Sequence, residues 1–218
     1  MKVLELFGGT QSISKEFRKR GHETLCVEFN DIFLSDPWNL EQWTMSVEDV
    51  KANKVIKVFG RPDVIWASPT CTTHSIAAIS HHRQQGGNDI LLPKSEKAFE
   101  HDKALLAALR LIQELKPKYY FIENPRGGMR KSPYMQGLYR YTVTYCTYGD
   151  MRMKPTDIWT NHPNPNFKQM CFNGNPDCHH ERAPRGSKTG TQGLKGNLER
   201  SMIPQDLCQH IVDICEGD

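Results

Sequence analysis

No apolar run in this chain approaches the length needed to cross a bilayer, so no membrane span is expected. A charged-then-apolar leader is missing too: the first residues, MKVLELFGG, read as a strand entering a glycine turn. The cysteines lack tandem spacing and their number, 7, is odd, which argues against a secreted disulfide framework. Charge of one sign is not in large excess, since 28 Lys and Arg face 25 Asp and Glu for a net +3. That balance excludes a histone-like basic arm and leaves nucleic acid open as a partner. Internal repeats and low-complexity tracts are absent. What is there is 218 residues, 38% hydrophobic and 24% charged, enough for one domain with a buried core. The expectation is a soluble, reduced, intracellular protein.

The hydrophobic pattern alternates between strand and helix. Residues 2–7 (KVLELF) form an apolar run ended by Gly8 and Gly9, and read as a buried strand. Residues 12–20 follow as a helix, with Ile13 and Phe17 on one face, cations in the last turn and Gly21 as the stop. Residues 23–28, 63–67 and 118–122 are further strands, with 140–148 and 156–160 as two more candidates. A long helix spans 96–115, and a last one 204–215 with Pro204 in its first turn. Residues 69–94 read as a long polar loop, a natural lid. From 162 to 198 periodicity disappears, and an irregular insertion is expected. Strands alternating with helices imply an α/β fold, Rossmann-like, whose mostly parallel sheet carries helices on both faces.

In such sheets ligands sit beyond the carboxyl ends of the strands. Gly8 and Gly9 let backbone approach a ligand closely. Glu28, about twenty residues on at the next strand end, is placed to hold ribose hydroxyls of a nucleoside; plain turn chemistry is the alternative. Cys71 follows Pro69 at a strand end and opens the polar loop, where exposure and nearby cations are expected to lower its pKa and favour a nucleophilic thiolate. Most free cysteines are instead buried and inert. Glu123 closes an apolar strand before Asn124-Pro125. A partly buried carboxyl there has a raised pKa and can donate a hydrogen bond as an acid; capping of the next turn is the bland alternative.

Taken together, LELFGG (4–9), VE (27–28), DVIWASPTCTTHS (63–75) and YYFIENP (119–125) occur in an order and spacing that resemble the DNA cytosine-5 methyltransferase family. The resemblance covers residues 2–160. It extends to TYGDMRMKPTDIWTN (147–161), similar to the family's Tyr-Gly … Gln-x-Arg-x-Arg segment, and more loosely to the final helix. The resemblance implies S-adenosylmethionine as cofactor, held by Phe7, Gly8, Gly9, Glu28 and Pro69. It implies Cys71 as nucleophile, Glu123 as the acid that binds the base, and Arg152 as stabiliser of the adduct. Asn124, Ser75, His81, Arg83 and Lys154 become the DNA-facing residues, around a cytosine flipped out of the duplex. The expected setting is the cytoplasm of a bacterial or phage-infected cell. The implied division is a catalytic domain at 1–161, a short insertion at 162–198 in place of a target recognition domain, and a closing helical segment at 199–218.

Several positions depart from the family pattern. The second Pro of Pro-Pro-Cys is Thr70, the Gln of the basic motif is Asp150, and Pro125 replaces the usual Val. These departures keep open a catalytically inactive DNA-binding or regulatory protein, or an enzyme acting on RNA or a nucleotide. The short insertion suggests relaxed specificity, or recognition supplied by a partner subunit or a second copy. Within it, RGSKTGTQGLKG (185–196) suits phosphate contacts. The favoured reading assigns no metal. The alternative is a zinc knuckle on Cys171, Cys178 and His179, although C-x6-C-H-H is not a standard spacing and adjacent histidines do not easily share one ion.

Overall fold

The structure is a computed structural model that describes residues 1–30, 42–181 and 197–217. Its centre is a seven-stranded sheet in the order β3-β2-β1-β4-β7-β9-β8. Strands β1 (Lys2–Leu6), β2 (Glu23–Glu28), β3 (Gln42–Thr44), β4 (Val64–Ala67) and β7 (Tyr119–Pro125) are mutually parallel. Two antiparallel strands, β8 (Arg140–Thr144) and β9 (Pro155–Thr160), extend the sheet beyond β7. The mostly parallel α/β sheet predicted from the sequence is the one found.

Strand alternation sends each side chain to one of two helical layers. Leu4, Leu6, Ile65 and Ile122 face α2 (Ala52–Val58) and α4 (Glu96–Leu115), where Val55, Leu105 and Leu111 complete one core. Val3, Val64, Trp66 and Phe121 face α1 (Ser12–Lys19) and α6 (Gln205–Glu216), where Ile13, Phe17, Leu207 and Ile211 complete the other. Helix α4 begins where Ser95 Oγ accepts from the Ala98 N–H, and ends at Lys116 in the left-handed region, just before Pro117. The chain leaves β1 over one face through α1 and returns to β4 over the other through α2. The crevice between β1 and β4 is therefore a topological switch point, the usual place for a ligand.

Three sequence expectations need correction. Residues 69–94 are not an unstructured lid. They hold a 3-10 turn (Thr72–His74), α3 (Ile79–His82) and a hairpin of β5 (Arg83–Gln85) and β6 (Leu91–Pro93). A buried cation, Arg83, organises this segment, and hydropathy assigns a cation to solvent. The strand expected over 140–148 stops at Thr144, because 145–148 coil into a 3-10 turn that Gly149 ends at φ +84°. Edge strand β3 and helix α2 have no counterpart in the sequence reading, and the closing helical segment expected from 199 is divided into a short helix α5 (Asn197–Ser201) and α6. Residues 162–181 contain no helix or strand, while the basic stretch 185–196 lies outside the described residues.

Candidate active site

The turn after β1 is tightly constrained. Gly8 N–H donates to the Val27 carbonyl at 3.2 Å. A Cβ at Gly8 would lie 2.0 Å from Cys26 Sγ, so a larger residue fits there only if that thiol gives way. Phe7 (φ +58°) and Gly9 (φ +49°) are both left-handed, and a bulky residue adopts that conformation only when its surroundings impose it. A Cβ on Gly9 would meet no atom of the described residues within 4 Å, so none of them crowds this side of the turn. Glu28 closes this side, its carboxylate accepting from Gly9 N–H at 2.8 Å and Asn30 N–H at 2.9 Å.

On the other side of the switch point, β4 runs into Ser68, Pro69, Thr70 and Cys71. Asn124 at the end of β7 donates from Nδ2 to the Pro69 carbonyl at 2.7 Å, fixing this loop against the sheet. Asn124 Oδ1 is buried without a partner among the described residues. Glu123, beside it, is 6% exposed and accepts from the Tyr145 hydroxyl at 3.1 Å. Burial holds the Glu123 carboxyl above the usual range, against the opposing pull of Lys154 and the hydroxyls of Tyr145 and Ser68. Cys71 is half-buried, and here the expectation of a lowered thiol pKa is corrected. Burial pushes it up and the Glu123 charge adds to that, with Lys154 and Arg200 opposing. Both effects favour the thiol over the thiolate.

The two basic residues of the 147–161 segment behave differently. Arg152 is turned onto Asp150. Its Nε donates to Oδ1 at 2.8 Å, its Nη2 pairs with Oδ2, and its Nη1 donates to the Glu199 carbonyl at 3.2 Å. Lys154 lies at φ +26° with Nζ 4.5 Å from the Tyr145 ring centroid, donating to the Arg200 carbonyl at 2.9 Å. Its charge is felt by both Glu123 and Cys71, and burial lowers its own pKa. Lys154 is thus the cation coupled to the thiol and the carboxyl, and Arg152 braces the turn through the Asp150 that replaces the family's Gln.

Among the other predicted residues, Ser75 ends the 3-10 turn after Cys71, and His81 is exposed on α3. Arg83 is not a DNA-facing cation: it is 3% exposed and paired with Asp102. His179 does not fill the place the zinc alternative gave it: its Nε2 lies 3.0 Å from the Asp150 carbonyl oxygen. Sequence reasoning missed Tyr145, which holds Glu123, and Asp102, which holds Arg83. Neither carries a local sequence signal, because both act through residues far away in the chain.

No protein-family model matches the chain. A curated protein of Frog virus 3 (isolate Goorha), named a probable DNA (cytosine-5)-methyltransferase, is 30% identical over 231 residues, covering 99% of this chain and 100% of the relative. Solved structures share the fold. A prophage-encoded E. coli protein described as a DNA modification methyltransferase aligns with TM-score 0.54 at 15% identity, over 73% of this chain and 46% of its own. A DNMT2 mutant of Spodoptera frugiperda aligns with TM-score 0.52 at 14% identity, over 84% of this chain and 57% of its own. The chain thus spans about half the length of these structural relatives, and matches the viral protein over its whole length. By that identity over nearly its whole length, the chain belongs to the DNA (cytosine-5)-methyltransferase family.

Proposed function

We propose that the protein transfers a methyl group from S-adenosylmethionine to C5 of cytosine in DNA, through a covalent bond between Cys71 and C6 of the base. The observation that carries this reading is that Lys154, in the turn before β9, acts electrostatically on both Glu123 on β7 and Cys71 on the loop after β4. The residues present fit the cofactor: no described residue crowds the outer side of Gly9, where a nucleoside can sit, and Glu28 presents a carboxylate at its rim. Phe7 and Pro69 would flank it. That cofactor supplies an electrophilic methyl on a sulfonium.

C5 of cytosine is a poor nucleophile. Attack of the Cys71 thiolate on C6 makes C5 enamine-like and able to accept the methyl. Burial raises the Glu123 pKa, which favours the acid form that donates to the Watson–Crick edge at N3 and stabilises charge that builds there. Lys154 favours the thiolate over the thiol. Asn124 keeps the Cys71 loop in register through Pro69. After transfer, water takes the C5 proton, the C5–C6 double bond re-forms and Cys71 leaves. The base is reached only outside the stack, so it is flipped; Ser75 and His81 lie on the segment after Cys71 that would meet the strand. The short insertion leaves sequence recognition to few residues, or to a second copy or another subunit.

The test is transfer of tritium from labelled S-adenosylmethionine to mixed-sequence duplex DNA, with Cys71→Ala alongside. Label in DNA with the wild type and none with the variant is the expected result. Label in RNA but not DNA would change the substrate. DNA binding without label in any acceptor would favour a non-catalytic binding protein.

A further inference from the structure

Three thiols and an imidazole converge outside the set of residues assigned to methyl transfer. Cys146 lies on the 3-10 turn after β8, and Cys171, Cys178 and His180 lie on the irregular segment that follows β9. One ligand atom from each can be chosen so that all four lie within 4.8 Å of one another. Cys146, Cys171 and His180 are buried and Cys178 is half-buried.

Their separations suit a tetrahedral ion. With Zn–S near 2.3 Å and Zn–N near 2.0 Å, tetrahedral edges come to about 3.8 Å between sulfurs and about 3.6 Å between sulfur and nitrogen. Cys171 Sγ stands 3.7 Å from His180 Nδ1. The surroundings are those of an oriented ligand set. Asn175 Nδ2 lies 3.4 Å from Cys171 Sγ as a donor, and the Cys171 N–H donates to Thr144 Oγ1 at 2.9 Å. The Cys178 N–H donates to the Asn175 carbonyl at 3.3 Å, closing the loop between two of the thiols.

The segment also needs a fastening. Residues 162–181 form no helix or strand and offer little apolar surface to hold them down. Three thiols cannot all be satisfied by disulfides with one another. Imidazole with thiolates in a tetrahedron is a donor set that selects zinc among the common divalent ions.

We infer that Cys146, Cys171, Cys178 and His180 bind a structural zinc ion. All four protein ligands are supplied, so the site is closed and has no open position for chemistry. Its effect is positional. It pins the irregular segment to the turn whose first residue, Tyr145, holds Glu123, and beside the loop where the His179 ring and the Glu181 N–H meet the carbonyls of Asp150 and Met151. The inference stands apart from methyl transfer and survives if that reading fails.

The experiment is metal analysis of the full chain purified under reducing conditions, followed by exchange of the metal for cobalt. The expected result is about one zinc per chain, and a cobalt form with thiolate charge-transfer bands and the intense d–d absorption of a tetrahedral site. Cys178→Ser and His180→Ala should weaken binding roughly tenfold or more, while His179→Ala should keep it unchanged. Because Cys178 is at the rim and His179 is an internal control, the comparison does not rest on the buried Cys146. A purified chain without zinc that also gives no thiolate–cobalt bands overturns the inference. So does binding that depends on His179 and not His180, or an iron–sulfur chromophore in the protein as isolated.

Discussion

Arg83 and Asp102 form a buried ion pair, with Nη1 to Oδ2 at 2.9 Å and Nη2 to Oδ1 at 2.7 Å. The same guanidinium donates to Thr73 Oγ1 and to His74 Nε2, both at 2.9 Å, and through Nε to the Thr73 carbonyl at 3.3 Å. One cation thus fastens the turn after Cys71 to helix α4. His74 stays neutral here, since burial and the Arg83 charge lower its pKa to about 3.

Removing one member of this pair leaves the other charged and buried. Arg83→Met is expected to destabilise the fold by about 3–5 kcal/mol, and the double variant Arg83→Met, Asp102→Leu to recover most of that loss. Urea unfolding reads both. A wild-type midpoint for the single variant would mean the pair contributes nothing to holding the turn.

Gly8 and Cys26 make a second testable contact. A methyl at Gly8 would collide with Cys26 Sγ at 2.0 Å, whereas Cys26 Cβ lies at an ordinary 3.7 Å. Gly8→Ala should therefore cost about 1–3 kcal/mol from overpacking, and adding Cys26→Ala should restore most of it. Thermal unfolding of the two variants and of Cys26→Ala alone completes the cycle.

The thiol at position 71 is tuned in opposite directions by two neighbours. Above the pH at which Glu123 ionises, Glu123→Gln removes a negative charge, lowers the Cys71 pKa and speeds its alkylation. Lys154→Gln removes a positive charge, raises that pKa and slows alkylation. Each change should be roughly three- to tenfold, since one pKa unit is tenfold in thiolate fraction. Iodoacetamide labelling followed by mass spectrometry of the Cys71 peptide reports the rate, and equal rates in all three proteins would contradict the coupling.

Glu5 gives stability a pH dependence. Its carboxyl is fully buried on β1, accepts from the Ser14 N–H at 2.8 Å, and is raised by burial from an ordinary 4.5 to about 7. The folded state therefore holds this proton more tightly than the unfolded chain does. The contribution is complete below about 4.5 and is lost as pH rises through about 7, a difference of about 3 kcal/mol. Glu5→Gln keeps an acceptor for Ser14 and should abolish that slope, unfolding at higher urea than the wild type at pH 8. Parallel slopes in the two proteins would show that Glu5 is not the titrating group.

Much of this was legible in the sequence because strand alternation and glycine turns are local signals. The runs KVLELF, ETLCVE and YYFIENP place Glu28 and Glu123 at strand ends without any tertiary information. What was not legible depends on distant partners. Arg83 looks like a surface cation until Asp102 is brought to it, and His180 rather than His179 faces Cys171 because the chain turns between them. The fall expected for the Cys71 pKa reversed for the same reason: burial and the Glu123 charge arise only from packing β4 against β7.

Helix α6 fills the face beside α1, where Leu207, Ile211 and Val212 join Ile13 and Phe17 in one core. Arg20 clasps the outside of that contact, pairing with Asp213 at 2.7 Å and Glu216 at 2.9 Å. Synthesis proceeds from the other end, so α1 and the strands β1, β4 and β7 emerge from the ribosome long before their cover does. Until residues 205–216 follow, α1 alone of these two helices covers that face of the sheet, and completing the cover joins segments almost the full chain apart, a slow kind of contact to make. A message cut short before that helix would yield not a slightly smaller enzyme but a sticky half-covered sheet, fit for chaperones and proteases.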